Sequence, residues 1–160
     1  MSGVGESWCT AGVVTRAGVV VLPSVTVHNS WLLPGRRKAA NLVHGGTGGT
    51  YQPFIWIGLG TSNIPNAVDR EQSDLGTPIG PRKSTITTPA STNNSIGLDV
   101  SFFGDELPAM TGPVGIREVG LFNAMRGGEL LYRYVYPVAL PLAPDAVLPI
   151  HLSVNILELA

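Results

Sequence analysis

The chain contains few charged side chains and a single cysteine. Charged residues make up 13% of its 160 residues, about half of the roughly 25% usual in soluble domains. The 10 basic and 11 acidic residues leave no basic surplus for neutralising phosphates, so we expect no nucleic-acid partner. Cys9 has no second cysteine with which to form an internal disulfide. Nothing in this composition requires an oxidising compartment.

Long apolar runs are also missing. No segment approaches the roughly 18 consecutive apolar residues of a membrane-spanning helix, so we expect no membrane partner. The N-terminus lacks a basic region followed by an apolar stretch, and no secretory signal is predicted. The apolar fraction of 44% is too high for a disordered chain. The length fits one domain with a real core.

Recognisable catalytic and metal-binding motifs are absent from the sequence. There is no Gly-Lys-Ser or Gly-Lys-Thr of a phosphate-binding loop and no Gly-x-Ser-x-Gly nucleophile motif. Gly58-Leu59-Gly60 lacks the third glycine of a dinucleotide site. Zinc requires several clustered ligands, whereas Cys9, His28, His44 and His151 are scattered singly. We therefore predict no metal, no cofactor and no enzymatic activity.

Turn-forming residues and alternating apolar segments are abundant. The chain has 20 glycines and 13 prolines, and they separate segments in which apolar residues recur at every second position, as in half-buried strands. These segments lie at residues 96–102, 116–122, 130–136 and 150–156. The pattern predicts a mainly β fold, an antiparallel β-sandwich or barrel, with one short helix over residues 36–43.

The valine-rich N-terminus differs from the rest of the chain. We predict an extended, strand-rich arm over residues 1–33 ahead of a β-sandwich domain at residues 34–160. Such an arm either completes the sheet of its own domain or adds to a neighbour's sheet edge. If it adds to a neighbour, deleting residues 1–26 leaves a folded domain without its partner contact. The candidate partner-interface residues are Trp8, Val13, Val14, Val19, Val20, Val21 and Trp31.

Two segments in the second half of the chain carry polar and aromatic side chains. Glu118 is most simply one half of a cross-strand ion pair with Arg133. Tyr132, Tyr134 and Tyr136 alternate along a segment that is apolar or aromatic on both sides, which indicates a strand covered on both faces. We interpret the tyrosines as core or interface residues. A sugar groove formed by the tyrosine face with Glu118 is the alternative.

Two segments of the chain carry distinctive glycine-containing motifs. Residues 57–62 read Ile-Gly-Leu-Gly-Thr-Ser, and a connection follows with Pro65 and Asp-Leu-Gly at 74–76. Residues 116–124 read Ile-Arg-Glu-Val-Gly-Leu-Phe-Asn-Ala. Over residues 27–157 the chain resembles a β-sandwich domain of tailed-bacteriophage virion structural proteins, of the capsid decoration or tail-associated type.

The resemblance implies a structural role in a virion. The leading hypothesis is a capsid decoration (cement) subunit, a homotrimer made in the host cytoplasm and seated on the major capsid protein lattice at the capsid surface. A tail, baseplate or neck adaptor subunit is the alternative within the virion. A carbohydrate-binding module is the alternative from another class of protein.

Overall fold

The computed structural model describes residues 6–30, 32, 53–66, 71–89, 95–108 and 115–155. These residues contain nine strands and one turn of 3-10 helix at Gly104–Glu106. The strands are β1 (Glu6–Thr15), β2 (Val20–Ser30), β3 (Trp56–Gly60), β4 (Pro78–Ser84), β5 (Ile86–Pro89), β6 (Ser95–Phe103), β7 (Ile116–Phe122), β8 (Leu130–Leu140) and β9 (Ala146–Asn155). The helix predicted over residues 36–43 lies outside the described residues.

The strands form two antiparallel sheets. The first sheet has the order β2-β1-β9-β6-β5, and the second has the order β4-β3-β7-β8. The prediction of a mainly β, antiparallel fold is therefore confirmed. Because there are two separate sheets, the architecture is a sandwich and not a closed barrel.

The main core lies between the inner faces of the two sheets. In β9, Leu148, Ile150 and Leu152 are buried while Pro149 and His151 are exposed. This alternation places one face of the strand in the core and the other in water, as the sequence pattern predicted. His151 lies on the solvent side of the strand.

Strand β1 is central in the first sheet. It lies between β2 and β9, and Cys9 is paired with Val27 on one side and with Leu152 on the other. Cys9, Ala11 and Val13 are fully buried in the main core. The N-terminal strands therefore complete the sheet of their own chain, which is the first of the two predicted alternatives.

A second, smaller core lies on the opposite side of the second sheet. Val119 and Leu121 of β7 face the main core, so the alternating Phe122 faces outward. Phe122 packs there in a cluster whose members are Leu32, Leu75, Phe122, Leu130 and, partly buried, Trp56. Residues 130–134 of β8 are all buried. The prediction that this strand is covered on both faces is confirmed.

The free edge of β8 is capped by groups from outside the second sheet. The Leu32 N–H donates to the Leu131 carbonyl at 2.9 Å. The side-chain amides of Asn29 and Asn66 both donate to the Arg133 carbonyl. These bonds occupy backbone acceptors that would otherwise be open to another strand, and the bond from Asn29 joins the end of β2 to β8.

Each of the four edge strands contains proline, which lacks a backbone N–H and so suits an edge. The edge prolines are Pro23 in β2, Pro78 and Pro81 in β4, Pro89 in β5 and Pro137 in β8. Pro149 is the exception, because β9 is central. It lies where the pairing with β1 is interrupted between Ala11↔Ile150 and Val14↔Val147. On its other side Pro149 lies opposite Ser101 of β6.

Deleting residues 1–26 should unfold the chain, which reverses the expectation from sequence. The deletion removes β1 from the centre of the first sheet together with the fully buried side chains of Ser7, Cys9, Ala11 and Val13. Circular dichroism and limited proteolysis would measure this, with Val20→Ser at an exposed β2 position as the folded control. A cooperative melting transition in the deletion variant would contradict the role of β1.

Candidate functional site

A buried ion pair lies on the outer face of the second sheet. The Arg133 Nε donates to the Glu118 Oε2 at 2.6 Å, and the two side chains are 1% and 0% exposed. Gly120 is the β7 residue directly opposite Arg133, so Glu118 is its diagonal neighbour across the two strands. The predicted cross-strand pair is confirmed, and the structure adds that it is completely buried.

The Glu118 carboxylate also binds the connection between β3 and β4. Its Oε1 accepts the Thr77 N–H at 2.7 Å and the Ser62 N–H at 3.4 Å. Its Oε2 accepts the Gly76 N–H at 2.9 Å. Hydrogen bonds to an ionised acceptor are roughly twice as strong as neutral ones. One side chain therefore holds both ends of this connection against β7.

Arg133 holds the middle of the same connection. Its Nη1 donates to the Ile64 carbonyl at 2.8 Å and to the Asn66 Oδ1 at 3.0 Å. Its Nη2 is buried and has no hydrogen-bond partner among the described residues. Ile64 itself remains 69% exposed. The guanidinium thus fixes the backbone at Ile64, whose own side chain faces solvent.

Two glycines allow the connection to approach this pair closely. A Cβ atom at Gly60 would collide with the Glu118 Oε1, and a Cβ atom at Gly76 would lie 2.7 Å from the Ser62 Oγ. Real Cβ atoms essentially never come within 3.0 Å of another heavy atom. The backbone N–H groups can reach the carboxylate only because these positions lack side chains.

A second arginine, Arg82 of β4, binds the turn between β7 and β8. Its guanidinium lies 3.3 Å from the centroid of the Phe122 ring and donates to the Ala124 and Gly127 carbonyls at 2.9 and 2.6 Å. Burial lowers the pKa of Arg82, and the charge of Asp74 opposes that shift. No sequence pattern pointed to this contact, because the residues joined by these hydrogen bonds are more than 40 positions apart.

The three alternating tyrosines lie in the main core. Tyr132, Tyr134 and Tyr136 are at most 1% exposed, and the first two rings stack with centroids 5.9 Å apart. Burial raises the pKa of Tyr134 and of Tyr136. Their interpretation as core residues is confirmed. The alternative of a sugar groove on this face is wrong, because no surface of these rings is open to a ligand.

The tyrosine hydroxyls are satisfied inside the core. The Tyr134 hydroxyl lies 2.5 Å from the Ser7 Oγ, and the Tyr136 hydroxyl donates to the Cys9 carbonyl at 3.1 Å and to its Sγ at 3.0 Å. Burial raises the pKa of the Cys9 thiol to about 12, while the bond from Tyr136 opposes the shift. The thiol is therefore protonated at neutral pH.

The structure separates the predicted partner-interface residues into three groups. Val13 is fully buried in the main core, and Val14 is half-buried beside it in β1. Trp8 is half-buried on the solvent side of the first sheet, with its ring centroid 5.4 Å from that of His28. Trp31 lies outside the described residues.

The third group consists of three exposed valines. Val19, Val20 and Val21 are 62%, 62% and 52% exposed at the turn between β1 and β2. We call these three residues the valine tip. Of the predicted interface residues that the structure describes, they are the ones with most of their surface in water.

Two kinds of site are not found in the described part of the chain. Its residues include no group of three or more His, Cys, Asp or Glu side chains placed to hold a metal ion. The same residues include no helix long and apolar enough to cross a membrane. His28 lies beside Trp8, and His151 lies 2.7 Å from the Asp99 carboxylate. His44 falls outside the described residues.

Comparisons with protein-family models, with curated proteins and with solved structures find no match. The motif residues nevertheless have a physical explanation within this chain. Gly60, Ser62 and Gly76 of the β3–β4 connection meet Glu118 of β7 in one buried polar cluster.

Replacing Arg133 with methionine should destabilise the fold strongly. The Arg133→Met variant keeps the apolar stem but leaves the Glu118 carboxylate buried without its cation, which costs about 3–5 kcal/mol of unfolding free energy. Urea titration would measure the loss. The matched control is Arg117→Met, which removes a half-buried arginine bonded to the Pro137 carbonyl, at a cost below about 1.5 kcal/mol. Equal losses in the two variants would contradict the role of the buried pair.

The Cys9 thiol should resist alkylation in the folded protein. It is fully buried, and its raised pKa of about 12 leaves almost no thiolate to react at neutral pH. Mass spectrometry after iodoacetamide treatment should find an unmodified native chain and a fully modified chain in urea. Rapid labelling of the native protein would show that the core at Cys9 opens.

Proposed function

We propose that this chain is a structural subunit of a tailed-phage virion, which decorates the capsid lattice and contacts it through the valine tip. The observation that carries the proposal is the exposure of three consecutive valines. An uninterrupted run of exposed apolar residues is unfavourable on a free surface unless it has a function. Such a run is instead expected where another protein covers it.

Hydrogen bonds tie the turn that carries the valine tip to neighbouring backbone. The Thr15 N–H donates to the Val19 carbonyl at 2.8 Å, and the Val19 N–H donates back to the Thr15 hydroxyl at 3.1 Å. The Arg16 N–H donates to the Asp145 carbonyl at 3.2 Å, which joins the turn to the β8–β9 connection. A preorganised contact loses less conformational entropy on binding.

The size of the valine tip favours attachment through several copies. Fully burying a valine contributes about 1.5–3 kcal/mol, and these side chains are already partly covered. One tip therefore supplies only a few kcal/mol, which is little against the cost of association. Linked copies gain affinity by avidity. A homotrimer seated on the repeating major capsid protein lattice would supply such copies.

The motifs support the same proposal. Four of the residues in the motifs that resemble tailed-phage virion proteins, Gly60, Ser62, Gly76 and Glu118, meet in one buried cluster. They stabilise the sandwich and the β3–β4 connection. The resemblance therefore concerns residues that determine the fold, and it is compatible with either a capsid or a tail position in the virion.

The decisive experiment is the copy number of this chain relative to the major capsid protein in purified virions, measured by quantitative mass spectrometry. A ratio near parity, or a large fraction of it, supports the decoration role. A handful of copies per particle would place the chain in the tail, baseplate or neck. Complete absence from the particles would overturn the virion proposal.

Replacing Val19, Val20 and Val21 together by serine should abolish capsid association without unfolding the chain. The exposed valines contribute little to the main core, so the melting temperature should stay close to that of the wild type. The matched control is Ile86→Ser on β5, a change from an isolated apolar residue that is 75% exposed. Wild-type occupancy of purified particles by the serine variant would show that the contact lies elsewhere.

A further inference from the structure

The solvent side of the first sheet carries an aromatic ring beside hydroxyl, imidazole and carboxylate groups. Strand register builds this surface in two adjacent rows. In one row Trp8 lies opposite His28, and in the next row Thr10 lies between Thr26 and His151. Asp99 follows His151 in the second row. We call the six residues the tryptophan face: Trp8, Thr10, Thr26, His28, Asp99 and His151.

We propose that the tryptophan face binds a neutral oligosaccharide. The ring centroids of Trp8 and His28 are 5.4 Å apart and the ring planes are tilted by 50°, so the two rings form a shallow corner. The face of an indole ring is electron-rich and attracts the polarised C–H groups on one side of a pyranose. Trp8 is half-buried, so its position is fixed while part of the ring remains accessible.

The second row supplies the polar half of such a site. The Thr10 and Thr26 hydroxyls are 2.8 Å apart, and the His151 Nδ1 lies 2.7 Å from the Asp99 Oδ1. The His151 and Asp99 side chains are 53% and 47% exposed. Hydroxyls both donate and accept, a carboxylate accepts, and an imidazole can do either. This mixture matches sugar hydroxyls, which also donate and accept.

The dimensions of the face fit a short chain of sugars. Adjacent strands are about 4.8 Å apart, and Asp99 of β6 is two strands away from Trp8 of β1, roughly 10 Å across the sheet. A single pyranose on Trp8 cannot reach Asp99. The proposal therefore predicts that affinity rises from a monosaccharide to a disaccharide or trisaccharide.

The charge of the tryptophan face favours a neutral sugar over a nucleic acid and over an apolar protein surface. The six residues include no lysine or arginine, so a phosphate backbone would meet no permanent cation. An apolar protein surface would bury the Asp99 carboxylate and the threonine hydroxyls without replacing their contacts with water, which is unfavourable. A neutral sugar replaces those contacts with its own hydroxyls.

The test is an array of short neutral and sialylated oligosaccharides probed with the purified full chain, followed by calorimetric titration of the best neutral binder. We expect binding to neutral oligosaccharides, and a loss of about tenfold or more in affinity for Trp8→Ala. The control Val138→Ser changes an exposed residue of the second sheet and should bind like the wild type. A folded wild-type chain that binds no glycan, or only sialylated ones, overturns the proposal.

A second variant keeps the test decisive if Trp8→Ala fails to fold. Changing Thr10 and Thr26 together to valine removes both hydroxyls but keeps β-branched side chains of similar size. We expect a several-fold loss of affinity at an unchanged melting temperature. Undiminished affinity in this folded variant would overturn the proposal. Because the tryptophan face is separate from the valine tip, either result leaves the virion copy number as an independent measurement.

Discussion

Burial of the Glu118–Arg133 pair is the constraint on which the second sheet depends. Removing two charges from water is unfavourable unless the charges pair closely and further hydrogen bonds satisfy most of their remaining polar atoms. In this chain the partners come from the β3–β4 connection, whose backbone donates to Glu118 and accepts from Arg133. The connection therefore stays against the sheet, where Leu75 joins Phe122 and Leu130 in the smaller core. A loop that composition alone would leave solvated becomes part of the packed structure.

The same arrangement explains which structural features sequence patterns could predict. Strand alternation, the antiparallel sandwich and the Glu118–Arg133 pair follow from local periodicity and from opposite charges on two segments separated by a turn. Complete burial of that pair could not be predicted from local patterns, because the pair is covered by the distant β3–β4 connection. The position of β1 was also beyond local patterns. A valine-rich terminal segment has the same periodicity whether it is added to another subunit or inserted between two strands of its own sheet.

Local sequence patterns were also insufficient to predict the candidate sites. Trp8 and the valines were predicted to form one partner interface because they are apolar residues in a weakly charged chain. Strand geometry separates them, because Val13 faces the core while Trp8 faces water. The polar partners of Trp8 come from β2, β6 and β9. No sequence window contains Trp8, Asp99 and His151 together, so the tryptophan face exists only in the folded chain.

The edge prolines have a consequence for how copies of this chain can lie side by side. A continuous intermolecular sheet needs a donor at each pairing position of the edge, and proline removes one from every edge strand of the sandwich. Growth of a fibre by edge-to-edge hydrogen bonding therefore meets a proline in each edge strand of the part of the chain that the structure describes. Crowded copies must instead recognise one another and their neighbours through side chains. That restriction opposes polymerisation where the local concentration is high.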